Sequence, residues 1–266
     1  MGTSKSKLKL AVKDFSVALN NRRLWMVLGW NDVQTRYNRS KLGVLWASLS
    51  ILIFISALGP IYASLFEVGL RDFTLHLLLG LVIWNYVSAI IMESGREYIN
   101  GANYLISFQL SYGTLLLRVV WRNFVVLCYQ LVVFVLVALS WGHMPNASWL
   151  VAPIALVFIT LNALWMALLM SVVATRFRDF SELLNNILRL VFFVTPIMWM
   201  PSMKADLQWV AEINPFYHLI ESFRAPLQSG TVESNHWLVM IWMFIFGSII
   251  AFPIFAKYRA RIAYWL

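Results

Sequence analysis

Six apolar stretches dominate the chain, at about 42–66, 73–92, 124–141, 149–174, 187–200 and 237–256, and none has an acidic residue near its middle. A membrane-spanning helix needs about 20 mostly apolar residues. Five of the stretches reach or approach that length, while the fifth is short and broken by Pro196. With 61% of the 266 residues apolar and only 12% charged, a soluble fold would lack the polar surface to cover its core. The pattern therefore predicts an all-α integral membrane protein with six transmembrane helices. It excludes a soluble enzyme, a disordered chain and a disulfide scaffold. Cys128 is the only cysteine, so no intrachain disulfide is possible.

The basic residues set the direction. Of 21 Lys and Arg, 18 fall on one side of a six-span topology. They are Lys5, Lys7, Lys9, Lys13, Arg22, Arg23, Arg36, Arg39 and Lys41 before the first span; Arg96, Arg118 and Arg122 between the second and third; Arg176, Arg178 and Arg189 around the start of the fifth; and Lys257, Arg259 and Arg261 in the tail. Arg71, Lys204 and Arg224 remain on the other side, and the acids divide evenly. This is the positive-inside pattern, and it predicts that both termini are cytoplasmic. The net charge of +9 is thus a topology signal and implies no nucleic-acid partner. Residues 1–23 lack the apolar core and cleavage site of a signal peptide, so the first span is expected to serve as the insertion signal.

Ionisable groups are nearly absent from the span interiors. Glu93, Arg118, Arg122 and Arg189 sit at or near cytoplasmic ends, where long side chains snorkel, and His76 lies near an outer end. A charge at a span centre costs about 2.5–3.5 kcal/mol and marks ion or proton paths. Its absence argues against an ion-coupled carrier and against a membrane enzyme built on paired carboxylates or a metal. No catalytic or metal-ligating constellation is found. Asn162 is the clearest polar residue deep in a span, read as an interhelical hydrogen bond or a substrate contact. No Gly-Lys pair occurs, so the chain has no Walker A motif. Any ATP and Mg would have to be bound by a separate subunit, with no cofactor on this chain.

Three segments outside the simple spans stand out. Residues 14–37, with the apolar run 24–30 flanked by Arg22 and Arg23 and carrying Trp25 and Trp30, predict a helix lying in the cytoplasmic interface, as an anchor, a docking element or a substrate-entry element. The polar, Gly-punctuated stretch 93–114 is either a connecting loop or a short helix between two breaks, on which a motor subunit could push. The outer segment 201–235 holds two short apolar runs punctuated by Pro201, Pro215 and Pro226. It reads as a folded cap or as re-entrant structure beside a conduit. Aromatics number 41: many sit at span ends as interfacial belts, while Trp84, Tyr86, Trp165, Phe192, Phe193 and Trp199 lie deeper. Each deep ring can be explained by packing, and together they could offer sliding surfaces to sugar rings.

Three stretches carry a resemblance. They are Arg36-Tyr37-Asn38-Arg39-Ser40-Lys41-Leu42-Gly43-Val44-Leu45-Trp46, then Arg178-Asp179-Phe180 with Phe192-Phe193-Val194-Thr195-Pro196-Ile197-Met198-Trp199, and Asn214-Pro215-Phe216-Tyr217-His218 with Arg224. In order, spacing and span number the chain resembles the membrane subunit of type-2 ATP-binding-cassette exporters, polysaccharide branch, although Val44 stands where many relatives have proline. The resemblance implies a channel-forming permease that moves lipid-linked polysaccharide of O-antigen, capsule or teichoic-acid type across the bacterial inner membrane. It implies a homodimer with two ATPase subunits, surrounded by membrane lipid. Permeation of a small molecule or drug is the alternative within the same exporter class.

The resemblance also implies an organisation: a cytoplasmic segment 1–41 with the interfacial helix (Arg22, Arg23, Trp25, Trp30), a transmembrane domain 42–256 and a tail 257–266. A coupling helix is implied within 93–110, with Arg96, Glu97, Asn103 and Tyr104 as ATPase-coupling residues. Short re-entrant helices would follow Pro196, around Asn214 and Pro215. Trp84, Tyr86, Phe192, Phe193 and Trp199 are the channel-lining candidates.

Overall fold

A computed structural model of the protein describes residues 4–38, 40–201 and 207–266. Arg39 and Lys204, both used in the charge pattern, lie outside the described residues, as does the side chain of Lys5. Among the described residues there is no strand. In chain order the helices are α1 (Ser4–Asn20), α2 (Arg22–Tyr37), α3 (Leu45–Leu65), α4 (Leu70–Asn100), α5 (Ala102–Ile106), α6 (Tyr112–Ser140), α7 (Ala152–Arg176, entered through a 3-10 turn at Ala147–Val151), α8 (Phe180–Val194), α9 (Gln208–Ile213), α10 (Pro215–Gln228) and α11 (Ser234–Trp265).

Five of these are long and apolar enough to cross a membrane: α3, α4, α6, α7 with its 3-10 turn, and α11. The fifth apolar stretch departs from expectation. Its helix, α8, begins at Phe180 and stops at Val194, before the expected end of the stretch. At 1.5 Å per residue, fifteen residues span about 22 Å, short of a hydrocarbon core of about 30 Å. The stop is local: Pro196 has no N–H to continue the ladder, and Thr195 before it is extended (ψ 134°).

The central helix is α4. From Phe73 to Val87 only Thr74, His76 and Asn85 interrupt an apolar run, and nearly every side chain in it is buried. A helix that is apolar all round belongs inside a bundle, and α3, α6, α7, α8 and α10 pack on it. α11 packs mainly on α7, with further contacts to α10 and α1. Local signals position the pieces. Ser111 caps α6 by accepting from Thr114 N at 3.2 Å. Asn214 caps α10 by accepting from Phe216 N at 2.9 Å, with Pro215 as the first helical residue.

The span boundaries also shift. α6 starts twelve residues before the expected 124, so Arg118 and Arg122 lie within its helix. α11 runs through the expected boundary at 256 to Trp265, so the tail is helical. The N-terminal segment forms two helices, α1 and α2, where the sequence predicted one. Asp14 of α1 accepts from Gly113 N at 2.9 Å and from Arg259 at 2.7 and 2.9 Å. These bonds bring α1, the start of α6 and the end of α11 to one end of the bundle, here called the basic end.

Candidate functional site

Two regions bear on function: a charged joint at the basic end and a groove along α3, α4 and α8. The joint is made by three helices, each presenting two charges four residues apart, hence on one face. α2 supplies Asp32 and Arg36, α4 supplies Glu93 and Glu97, and α6 supplies Arg118 and Arg122. Arg122 donates to Glu93 Oε2 from Nε (2.9 Å) and Nη2 (2.7 Å), and to Asp32 Oδ2 from Nη1 (2.7 Å). Arg118 grips Asp32 with a two-pronged contact, and Arg36 donates to Glu93 Oε1 at 2.7 Å. Glu97 lies 3.6 Å from both Arg118 and Arg122. Asn123 adds a 2.8 Å bond to Glu93. Three carboxylates and three guanidiniums thus balance, most of them shielded from solvent.

Arg118 and Arg122 therefore do not snorkel as the sequence predicted; carboxylates from two other helices hold them inside. Burial acts to raise the pKa of Asp32, but the Arg118 and Arg122 guanidiniums outweigh it and hold the carboxyl below its ordinary value. A group depressed in this way contributes stability above its unfolded pKa and loses it only as pH falls through the lower folded value. The Asp32 contacts accordingly stay closed at neutral pH.

The segment 93–114 is resolved into parts. α4 continues straight through Gly95 to Asn100; the break is at Gly101, and the five-residue α5 follows. Of the expected coupling residues, Glu97 is buried in the joint, Arg96 and Asn103 are exposed, and Tyr104 lies under the Arg118 guanidinium at 5.1 Å from its ring centroid. α5 thereby touches the joint through one ring. Beside it, Ile106 and Phe108 are exposed, with relative accessibilities of 57% and 69%.

Trp25 and Trp30, expected on an interfacial helix, lie on α2, with Arg22 and Arg23 exposed at its start. Trp25 donates to Ala18 O of α1 at 3.0 Å and meets Trp121 of α6 edge-on. Gly29 lets α2 close on α6: a Cβ there would sit 2.9 Å from Arg118 O and 3.0 Å from Trp121 Cδ1. Gly29→Leu is expected to push α2 off α6 at a cost of about 1–3 kcal/mol, and to part Asp32 from its arginines. Limited proteolysis reads this as faster cleavage within α2; an unchanged cleavage rate would contradict the close contact.

The groove is a cavity of about 570 Å³ bounded by α3, α4 and α8. Trp84, Phe192, Phe193 and Phe54 supply rings, while Asn85, Asn185, Ser50, Ser88 and Arg189 supply polar groups. Trp84 meets Phe192 at 5.7 Å and Phe216 of α10 at 5.6 Å between ring centroids. Three of the five expected channel rings therefore share one cavity. Tyr86 does not: two residues along a helix is a turn of about 200°, so it faces α7, where its hydroxyl meets Thr160 Oγ1 at 2.9 Å. Trp199 lies past the end of α8, its indole donating to Phe193 O at 3.3 Å.

Beyond the groove, α8 and α10 both run antiparallel to α4. The chain just past α8 packs beside Gly80 through Ile197, and α10 advances from Phe216 on Trp84 to Gln228, which donates to Asp72 O at 3.0 Å. Pro196, Asn214 and Pro215 all sit at the junction of the two helices, where Asn214 donates to Thr195 Oγ1 at 2.9 Å. Buried Arg224 fixes the arrangement. It pairs with Glu221, and its Nη1 lies 3.0 Å from both Pro196 O and His76 Nε2. A guanidinium only donates, so His76 Nε2 accepts from it, with Trp199 O 3.3 Å from the same nitrogen. Asn162 has a structural role: its amide donates to Phe158 O and Met240 O and accepts from Trp165 Nε1, tying α7 to α11.

Sequence comparison adds a family. The family model described as ABC-2 type transporter matches residues 23–227. Two proteins of Klebsiella pneumoniae, each named O-antigen export system permease protein RfbA, are 24% identical over 243 residues, covering 90% of this chain and 93% of theirs. A protein of the same name from Myxococcus xanthus is 23% identical over 207 residues, covering 77% of this chain and 80% of its own.

Proposed function

Because the chain belongs to the ABC-2 type transporter family, we propose that it is the permease of an ATP-driven exporter that carries lipid-linked polysaccharide, of O-antigen or capsule type, across the bacterial inner membrane. The names of its relatives support the cargo class. The observation that carries it is the groove between α3, α4 and α8. Rings alternate there with amides and hydroxyls, a surface suited to sugars, whose C–H faces lie on aromatic faces and whose hydroxyls need partners. A purely apolar drug would leave the amides of Asn85 and Asn185 unanswered.

Parity supports six crossings. Five long helices would place the termini on opposite sides, yet Asp14 and Arg259 meet at one end. The pair α8 and α10, joined at Thr195–Asn214, supplies the sixth crossing, with α9 and the intervening chain as the re-entrant portion. Both termini are then cytoplasmic. Residues 1–41 form the cytoplasmic segment, 42–256 the membrane domain and 257–266 the tail. α8 keeps Leu183, Ile187, Leu190 and Phe193 exposed beside the groove. A second copy of the chain on that face would close the groove into a conduit, which favours a homodimer.

Two ATPase subunits, binding ATP and Mg, would dock at the basic end against α5, where Asn103, Ile106 and Phe108 are exposed. Motion of α5 reaches α2 through Tyr104, Arg118 and Asp32. Tyr104→Pro removes the N–H that donates to Gly101 O at 2.9 Å and the ring under Arg118. ATP hydrolysis by the complex is expected to persist while export stops; normal export would refute the coupling role. The cargo reading is tested by Ala47→Trp, which places an indole in the groove. Surface polysaccharide should fall to the level of a strain lacking the chain, with membrane content and ATPase copurification unchanged. Normal surface polysaccharide would sink the reading.

A further inference from the structure

A second cavity, of about 610 Å³, opens between the ends of α7 and α11 at the basic end. Its floor is apolar, made by Val172, Val173 and Ile254, and its mouth carries Arg176 and Arg261. Both arginines are exposed, and among the described residues neither is paired with a carboxylate. Each lies instead over an aromatic ring: Arg176 at 5.5 Å from the Trp265 centroid and Arg261 at 5.9 Å from that of Tyr258. Stacking of this kind holds a guanidinium in place while its N–H edge stays free. Four other arginines in this half of the molecule bind carboxylates, Arg36, Arg118 and Arg122 in the joint and Arg259 on Asp14, and Arg224 does the same with Glu221 at the far end.

The geometry points to a binding site for the phosphate of an anionic bilayer phospholipid, with an acyl chain on the apolar floor. Two helix C-termini meet here, each worth about half a negative charge; both arginines offset the negative end of the helix pair, and their free N–H edges are what an anion would meet. Arg forks match phosphate oxygens in pairs, and basic clefts between spanning helices are physically suited to lipid headgroups. The inference needs only that α7 and α11 end at a membrane surface; it does not depend on the cargo.

The test uses the purified full chain in detergent, titrated with phosphatidylglycerol, phosphatidylcholine or inorganic diphosphate and followed by native mass spectrometry. At about a fivefold gain per arginine near an anionic surface, the pair Arg176→Gln and Arg261→Gln should weaken phosphatidylglycerol binding by about 25-fold and leave phosphatidylcholine unchanged. Arg178→Gln, outside the cleft lining, should change neither. On the wild-type chain, added salt should weaken phosphatidylglycerol binding selectively, a readout that needs no variant. Equal phosphatidylglycerol affinity in wild type and double variant, or salt-insensitive binding, would overturn the site. Diphosphate binding without phosphatidylglycerol binding would assign the arginines to a soluble anion and overturn the lipid reading.

Discussion

Arg122→Met is expected to lower stability by about 3–5 kcal/mol and to abolish export. Among the described residues Arg122 alone bonds both Asp32 of α2 and Glu93 of α4, and it also lies 3.6 Å from Glu97. Without it, three carboxylates from two helices face only Arg118 and Arg36, and a net negative charge remains in a shielded site. The penalty comes from that residue of unpaired charge more than from the lost bonds. Adding Glu93→Gln restores the balance and should recover more than half of the loss. That pairing separates a charge effect from simple loss of packing, since a packing defect would be worsened by the second change. The midpoint of thermal unfolding of the detergent-extracted chain gives the measurement. An unchanged midpoint for Arg122→Met, or no recovery in the double variant, would show that the joint does not hold α2 to the bundle.

The sequence made the members of this joint visible but not their meeting. Asp32 and Arg36, Glu93 and Glu97, and Arg118 and Arg122 are each four residues apart, so each helix declares a charged face. Which faces meet depends on how α2 folds back onto α6, and that rests on Gly29 and Trp25, whose contacts lie far along the chain. The long spans were legible because apolar length alone specifies them. Their ends were not: α4 and α6 continue for a turn or more as polar helix, where hydropathy falls while helix hydrogen bonding does not. The separation of Tyr86 from Trp84 was readable from helical period alone. The groove was only partly legible, since Phe192 and Phe193 reach Trp84 through the placement of α8 against α4. A helix near Pro215 was expected, but the full length of α10 was hidden because its apolar face is interrupted by His218, Ser222 and Arg224, all buried, and buried polar residues read as loop in a hydropathy profile.

Arg224→Met tests that buried polar face and should cost about 3–5 kcal/mol as well. Arg224 is 2% exposed and serves Glu221, Pro196 O and His76 at once. Methionine fills much of the volume but donates nothing, so Pro196 O and His76 Nε2 lose their donor and Glu221 loses its counter-charge. Each buried acceptor so orphaned costs about 1–3 kcal/mol. Arg224→Lys keeps the charge, yet one ammonium cannot reproduce the fork toward acceptors on three elements, and an intermediate loss is expected. The consequence for transport follows from position. Arg224 holds α10 against α4 and pins the chain break at Pro196, the point where the groove ends. With that pin removed, export should fall even in protein that still inserts. The two arginine variants are distinguished by proteolysis: Arg122→Met should expose α2 to cleavage, whereas Arg224→Met should leave α2 protected. An Arg224→Met chain that unfolds at the wild-type temperature would show that α10 is held by its apolar contacts alone.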